Sequence, residues 1–170
     1  MTKKIKPATY IFFALLFIWS GIIFAMSAQV ADESSKTSST VCEDILRIAD
    51  KDFEKLSPEK QSERIESLQF AVRKTAHFSA YSLLGILAFL AFRSVGIKKY
   101  PIFSVGYCLV YAASDEFHQL FVEGRSGELR DVGIDFGGAV TGTAFIYLII
   151  LLAKRISKKR KARLDALEKA

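Results

Sequence analysis

Cysteine, histidine and the common catalytic signatures are scarce or missing in this chain. Two cysteines and two histidines occur in 170 residues. Cys42 lies in a polar stretch and Cys108 inside an apolar one, so they are poorly placed to pair, and no metal-ligand spacing surrounds them. H-E-x-x-H, G-x-S-x-G and a glycine-rich phosphate loop are all absent. That argues against a zinc peptidase, a serine-hydrolase elbow or a P-loop nucleotide site. No metal and no cofactor is implied. Short alternating apolar runs are also missing, so half-buried strands are not expected. Acids are nearly absent from three regions. The N-terminus, residues 93–99 and the tail from Lys154 hold fourteen Lys and Arg against two acids.

What is present is long apolar blocks. Four approach the roughly 20 residues that span a bilayer: Tyr10 to Ala28, Ala76 to Val95, Tyr100 to Phe121, and Val132 to Ala153. The expected fold is an all-α membrane protein with four transmembrane helices, at about 8–28, 75–95, 100–121 and 131–153. A helical extracytoplasmic loop, 29–74, joins the first two, and a basic tail, 154–170, follows the last. Residues 32–74 and 115–135 hold ten Lys and Arg against sixteen acids. The positive-inside rule then puts both termini and the 93–99 turn in the cytoplasm. An even number of spans agrees. The charge of +6 is thus a topology signal, and no nucleic-acid partner is expected. The first block could pass as a signal peptide ending at Ala25-Met26-Ser27. Its length and the even span count favour a retained helix.

Asp32 to Thr40 reads as a polar, Ser-rich linker, with Thr40-x-x-Glu43 as a capping box opening an amphipathic helix. Ser57-Pro58-Glu59 starts a second helix, with Pro at its first position. Its apolar face runs through Ile65, Leu68 and Val72 into the second span. The loop is expected to lie as a cap on the bundle or as a lid in the headgroup layer. The 93–99 turn is short, so the second and third spans should be antiparallel neighbours. In the fourth, Asp131, Asp135, Gly138 and Gly142 share a face, and Gly138-x-x-x-Gly142 lets another backbone approach. That face could serve the chain itself or make a homo-oligomer. The basic tail suits anionic lipid at the inner surface.

Arg73, His77 and Tyr81 stand four apart, on one helix face. Heights can be counted from the cytoplasmic end of each span. His77 lies about 24 Å above Arg93 and Arg73 about 30 Å. Asp115 lies about 24 Å above Lys99 and Gln119 about 30 Å. Asp135 lies about 28 Å above Lys154 and Asp131 about 34 Å. All fall in one layer near the outer leaflet boundary. Polar groups in a membrane face the bundle interior and pair. One polar cluster is therefore expected: Arg73, Lys74, His77 and Tyr81; Asp115, Glu116 and Gln119; Asp131 and Asp135; with Arg125 reaching in from the loop.

Arg73-Lys74-x-x-His77-x-x-x-Tyr81-x-x-Leu84-Gly85, Asp115-Glu116-x-x-Gln119 and Arg125-x-Gly127-x-x-x-Asp131, followed by a Gly-rich helix, resemble the VanZ-like family over about residues 10–150. The resemblance implies one small bacterial membrane domain, 1–170, at work in the cell envelope of the plasma membrane. The naming member is associated with resistance to teicoplanin, a lipid-tailed glycopeptide antibiotic. No settled reaction comes with the family. This chain has Asp135 where the family often has Asn, which changes the local charge.

Three functions fit the cluster. In the favoured one it binds, with membrane lipids as partners. Arg73, Lys74 and Arg125 take the anionic group of a lipid headgroup, a lipid-linked wall precursor or a lipoglycopeptide antibiotic. In the second the protein is a membrane enzyme on a lipid-linked or phosphorylated substrate, with His77 as general base oriented by Asp115 or Asp135. In the third the cluster only registers helices, although buried ionic groups are a poor source of net stability. A transporter is disfavoured, because a one-sided cluster makes no through-path.

Overall fold

The computed structural model describes residues 6–167. Lys3, Lys4 and Lys169 of the basic clusters lie outside them. The described residues form five α-helices and no strand: α1 (Pro7–Ser27), α2 (Ala31–Ala49), α3 (Pro58–Ser94), α4 (Tyr100–Gln119) and α5 (Leu129–Leu167), with one 3-10 turn at Phe53–Lys55. Three of these, α1, α3 and α5, are long and apolar enough to cross a membrane. Proline is the first residue of α1 and α3 and the second of α4, where its missing N–H costs no helical hydrogen bond.

Residue pairs fix the directions. Phe13 meets Phe92 edge-on while the Trp19 Nε1–H donates to the Ala80 carbonyl at 2.9 Å. So α1 is antiparallel to α3. Phe89 packs on Tyr100, and Tyr81 reaches Asp115, so α4 is antiparallel to α3 as well. α5 then runs parallel to α3. The core between them holds Leu16, Ile23, Tyr81, Leu84, Ala88, Cys108, Ala112 and Ala139. Outward faces carry exposed large apolar residues such as Phe17, Ile18, Val110 and Phe145. Such a surface suits a hydrocarbon surround rather than water.

The α3–α5 seam is the most extensive contact in the molecule. Gly138 lies under the Phe78 carbonyl, Gly142 under the Ser82 carbonyl and Gly85 against the Ala139 carbonyl, each leaving no room for a Cβ. The Ser82 hydroxyl donates to the Gly138 carbonyl at 3.0 Å. Of the two uses expected for the glycine face, packing within the chain is the one seen: α3 lies on Gly138 and Gly142.

One expectation is corrected: Asp32 to Thr40 is helix and not linker. α2 starts at Ala31, whose N–H donates to the Glu123 carbonyl at 3.2 Å, with Asp32 and Glu33 in the first turn. Acids there favour a helix start through the macrodipole. Thr40 sits in mid-helix and bonds back to the Lys36 carbonyl, and Glu43 pairs with Arg47 at 2.7 Å, so no capping box forms. The serine face is held by α3: Gln69 donates to the Ser35 carbonyl at 3.2 Å and to the Ser39 hydroxyl at 2.8 Å. The second loop helix does begin at Pro58, and continues unbroken into the apolar part of α3.

Candidate functional site

The ten residues expected to cluster all lie at one end of the bundle, where the α1–α2 turn, the middle of α3, the α4–α5 loop and the start of α5 meet. Their partners differ by helix face. On the side toward α5, polar residues continue the glycine seam upward. Lys74 Nζ lies 2.5 and 2.6 Å from the two Asp131 oxygens. His77 Nδ1 lies 3.5 Å from Oδ1 of Asp135, which is fully buried. At the very next position of α3, Phe78 meets Gly138. The spacing of α3 and α5 thus brings an ion pair, an imidazole–carboxylate pair and a glycine contact into register.

Toward α4, the buried Tyr81 hydroxyl donates to Asp115 Oδ2 at 3.3 Å. The other Asp115 oxygen is buried without a partner. Glu116 and Gln119 serve the loop. Glu116 Oε2 accepts the Glu128 N–H at 2.9 Å, and Gln119 Nε2 lies 3.4 Å from Glu116 Oε1. A Cβ on Gly127 would come within 2.6 Å of the Glu116 carbonyl, so the loop closes tightly only with glycine here. Gly124 has φ +72° and packs on Ala31. Arg125 Nε donates to the Gln29 carbonyl at 3.1 Å. Pinned from both sides, the loop holds Arg125 beside Arg73.

These two arginines are the anomaly of the cluster. Both are half-buried. Among the described residues, the ion pairs of the cluster join Lys74 to Asp131 and His77 to Asp135, and neither Arg73 nor Arg125 has a carboxylate within 4.0 Å. Burial first, and then the charge of Arg73, push the Arg125 guanidinium below its usual pKa. Two half-buried cations thus stand side by side without an ion pair, and Asp115 and Glu116 act on Arg125 only from beyond 4.0 Å.

Two cavities meet at this point. One, of about 280 Å³, lies between α1, α2 and α3; its surface is mainly apolar, although Ser27, Gln29, Ser34, Thr37 and Ser38 are among its walls. The other, of about 480 Å³, lies between α3, the α4–α5 loop and the start of α5; Gln69, Lys74, Gln119, Ser126 and Asp131 are among its polar walls. Arg73, His77 and Arg125 line both. Phe70 stands at the second, with Lys74 Nζ 5.4 Å and the Arg130 guanidinium 5.3 Å from its ring centre.

Sequence reasoning did not find the walls of the first cavity: Ile23 and Met26 on α1, and Ser34, Thr37, Ser38 and Val41 on α2. Reading 32–40 as linker hid them. The signal available was Ser38 and Cys42, four apart and both buried. His118 stands elsewhere, its ring 4.5 Å from that of Phe24, and does not join His77. Among the described residues no three His, Cys, Asp or Glu side chains converge as a metal set. A family model described as VanZ/LLP1 matches residues 12–152. No curated protein and no solved structure matches the chain.

Proposed function

The chain belongs to the VanZ/LLP1 family, and on that footing we propose that it binds an anionic, lipid-borne envelope molecule at the Arg73–Arg125 site. The family and the apolar helices support a membrane protein of the cell-envelope, teicoplanin-resistance type. The candidate ligands are a lipid headgroup, a lipid-linked wall precursor or a lipoglycopeptide. The observation that carries the reading is the pair of half-buried arginines without carboxylates, both lining both cavities. Arginine forks suit phosphate and carboxylate. An uncompensated buried charge is costly, and a ligand anion would offset that cost.

We place four spans in the bacterial plasma membrane, with both termini cytoplasmic and the cluster near the outer leaflet boundary. α3 and α5 are parallel, so if both cross, α4 must return between them. That supports α4 as a span although it is less apolar. Arg93, Lys98, Lys99 and the basic part of α5 lie at the opposite end from the cluster, which supports a cytoplasmic end there.

One contact favours a second reading. His77 Nδ1 faces buried Asp135 and the ring lines both cavities, the arrangement of an oriented general base. The two readings separate on His77→Ala in folded, inserted protein. Catalysis predicts lost turnover of a phosphorylated lipid, whereas binding predicts weaker affinity alone. Native mass spectrometry of the full chain released from bilayers tests the main reading. A co-bound anionic lipid or wall precursor should be present and should disappear with Arg73→Gln and Arg125→Gln. Equal retention by wild type and both variants would sink it.

A further inference from the structure

The smaller cavity has features that an anion alone does not use. Its floor and sides are Ile23, Val72, Ala76 and Ala80, under α2. Met26 and Val41 line it and are also 57% and 44% exposed, so its mouth lies between the end of α1 and the middle of α2. Arg73, Arg125 and Asp115 also line it. Asp115 is 3% exposed, and Tyr81 donates to its Oδ2; Oδ1 is buried without a hydrogen bond, with the equally unbonded Ser27 hydroxyl near the same carboxylate. A ligand hydroxyl next to an anionic group would complete both the arginines and this buried polar pair. At about 280 Å³ the space falls just below the usual range for whole small-molecule pockets. It suits part of one hydrocarbon chain.

We propose that this cavity takes the chain of a single-chain phospholipid. The phosphate sits at Arg73 and Arg125, a hydroxyl near the phosphate donates to Asp115 Oδ1, and the first segment of the chain lies between α1 and α3 beneath α2. This rests on the headgroup reading and adds that the chain leaves the bilayer to enter the protein. Moving a chain from lipid into an apolar cavity gains little free energy, because both surroundings are apolar. Affinity therefore comes from the arginines, and the cavity selects which amphiphile fits.

The test uses the full chain in phosphatidylcholine nanodiscs. The probe is lysophosphatidic acid carrying a diazirine on the chain near its ester, with photolabelled residues mapped by mass spectrometry. Saturable labelling is expected on Ile23, Val41 and Val72. Val72→Trp, which fills the cavity, should cut the Ile23 and Val41 labels at least tenfold and leave labelling of the lipid-facing Phe17 unchanged. Ala76→Leu gives the same test should the tryptophan variant fail to fold. Asp115→Asn should shift the half-saturation point several-fold upward. Inorganic phosphate should displace the probe only at far higher concentration than unlabelled lysophosphatidic acid. Saturable, arginine-dependent labelling confined to outward residues such as Phe17 and Phe145, or equal displacement by inorganic phosphate, overturns the chain assignment and leaves the headgroup reading standing. Labelling that does not saturate, or is indifferent to Arg73→Gln and Arg125→Gln, overturns both.

Discussion

The two sides of α3 over residues 73–85 are built to opposite rules. Toward α5 every step is filled: Lys74 on Asp131, His77 on Asp135, Phe78 on Gly138, Ser82 on Gly142. Toward α1 and α2 the same turns border a cavity, and Arg73 has no carboxylate within 4.0 Å among the described residues. One side sets its polar residues against each other: Lys74 is hydrogen-bonded to Asp131, and His77 faces Asp135 at 3.5 Å, with both Asp135 oxygens buried and without a hydrogen bond. The other keeps its cations without a carboxylate within 4.0 Å, beside an oxygen of Asp115 that has no hydrogen bond. The difference separates structural from functional polarity within a single cluster. A polar side chain at membrane depth marks function when its neighbours do not satisfy it.

The largest effect should come from breaking the filled side. Gly142→Leu drives a side chain into the Ser82 carbonyl, backbone that cannot give way as a rotamer can. Overpacking costs about 1–3 kcal/mol and occasionally more, and the seam is the main contact of the fold. We expect loss of monodisperse protein on size-exclusion chromatography, whereas Gly106→Leu on α4, where nothing lies within 4 Å, should be tolerated. Equal behaviour of the two variants would show that the seam does not govern stability.

The open side should respond in the reverse sense. Arg73→Gln with Arg125→Gln removes two mutually repelling charges, no ion pair, and one exposed hydrogen bond, from Arg125 Nε to the Gln29 carbonyl. Thermal stability should hold or rise slightly, while affinity for an anionic lipid falls by at least about tenfold, roughly 1.4 kcal/mol. A paired drop in stability and affinity would make these arginines structural and erase the contrast.

Coupling energies sharpen it further. A double-mutant cycle on Lys74 and Asp131 should give about 0.5–3 kcal/mol, since the pair is close and largely shielded. The cycle on Arg73 and Asp131 should fall near zero, within about 0.5 kcal/mol. Steric-trapping measurements of unfolding in bicelles would supply both.

Much of this was legible before any coordinates. Helix spacing put Arg73, His77 and Tyr81 on one face, and all three line the smaller cavity. Rise per residue put three segments at one height, and the structure brings those segments together. What spacing could not give was pairing. Height alone does not say whether Asp131 meets Arg73 or Lys74, because that depends on the rotation of α3 against α5, which the glycine contacts set. The cavity was hidden for another reason. Ser and Thr compete with helical backbone bonds in an isolated chain, so 32–40 read as linker. Its helix is held by contacts far along the chain, Gln69 on Ser35 and Ser39 and Glu123 on Ala31.

The smallest expected effect concerns how the open side is kept open. Arg125 sits on a loop whose shape depends on Gly124, at φ +72° with Ala31 2.9 Å from where a Cβ would stand. Gly124→Ala keeps every charge and every wall of the smaller cavity. It forces a side chain into the left-handed region and against α2, at a cost of about 1–2 kcal/mol. The loop relaxes by moving Arg125 away from Gln29 and Arg73. Anionic-lipid affinity should fall by about two- to fivefold, or roughly 0.4–1 kcal/mol, with the Lys74–Asp131 coupling unaltered. Titration of the variant in nanodiscs beside the arginine double variant decides the matter. If Gly124→Ala binds as wild type does, the position of Arg125 is not what the site reads, and the charge of Arg73 alone would have to suffice.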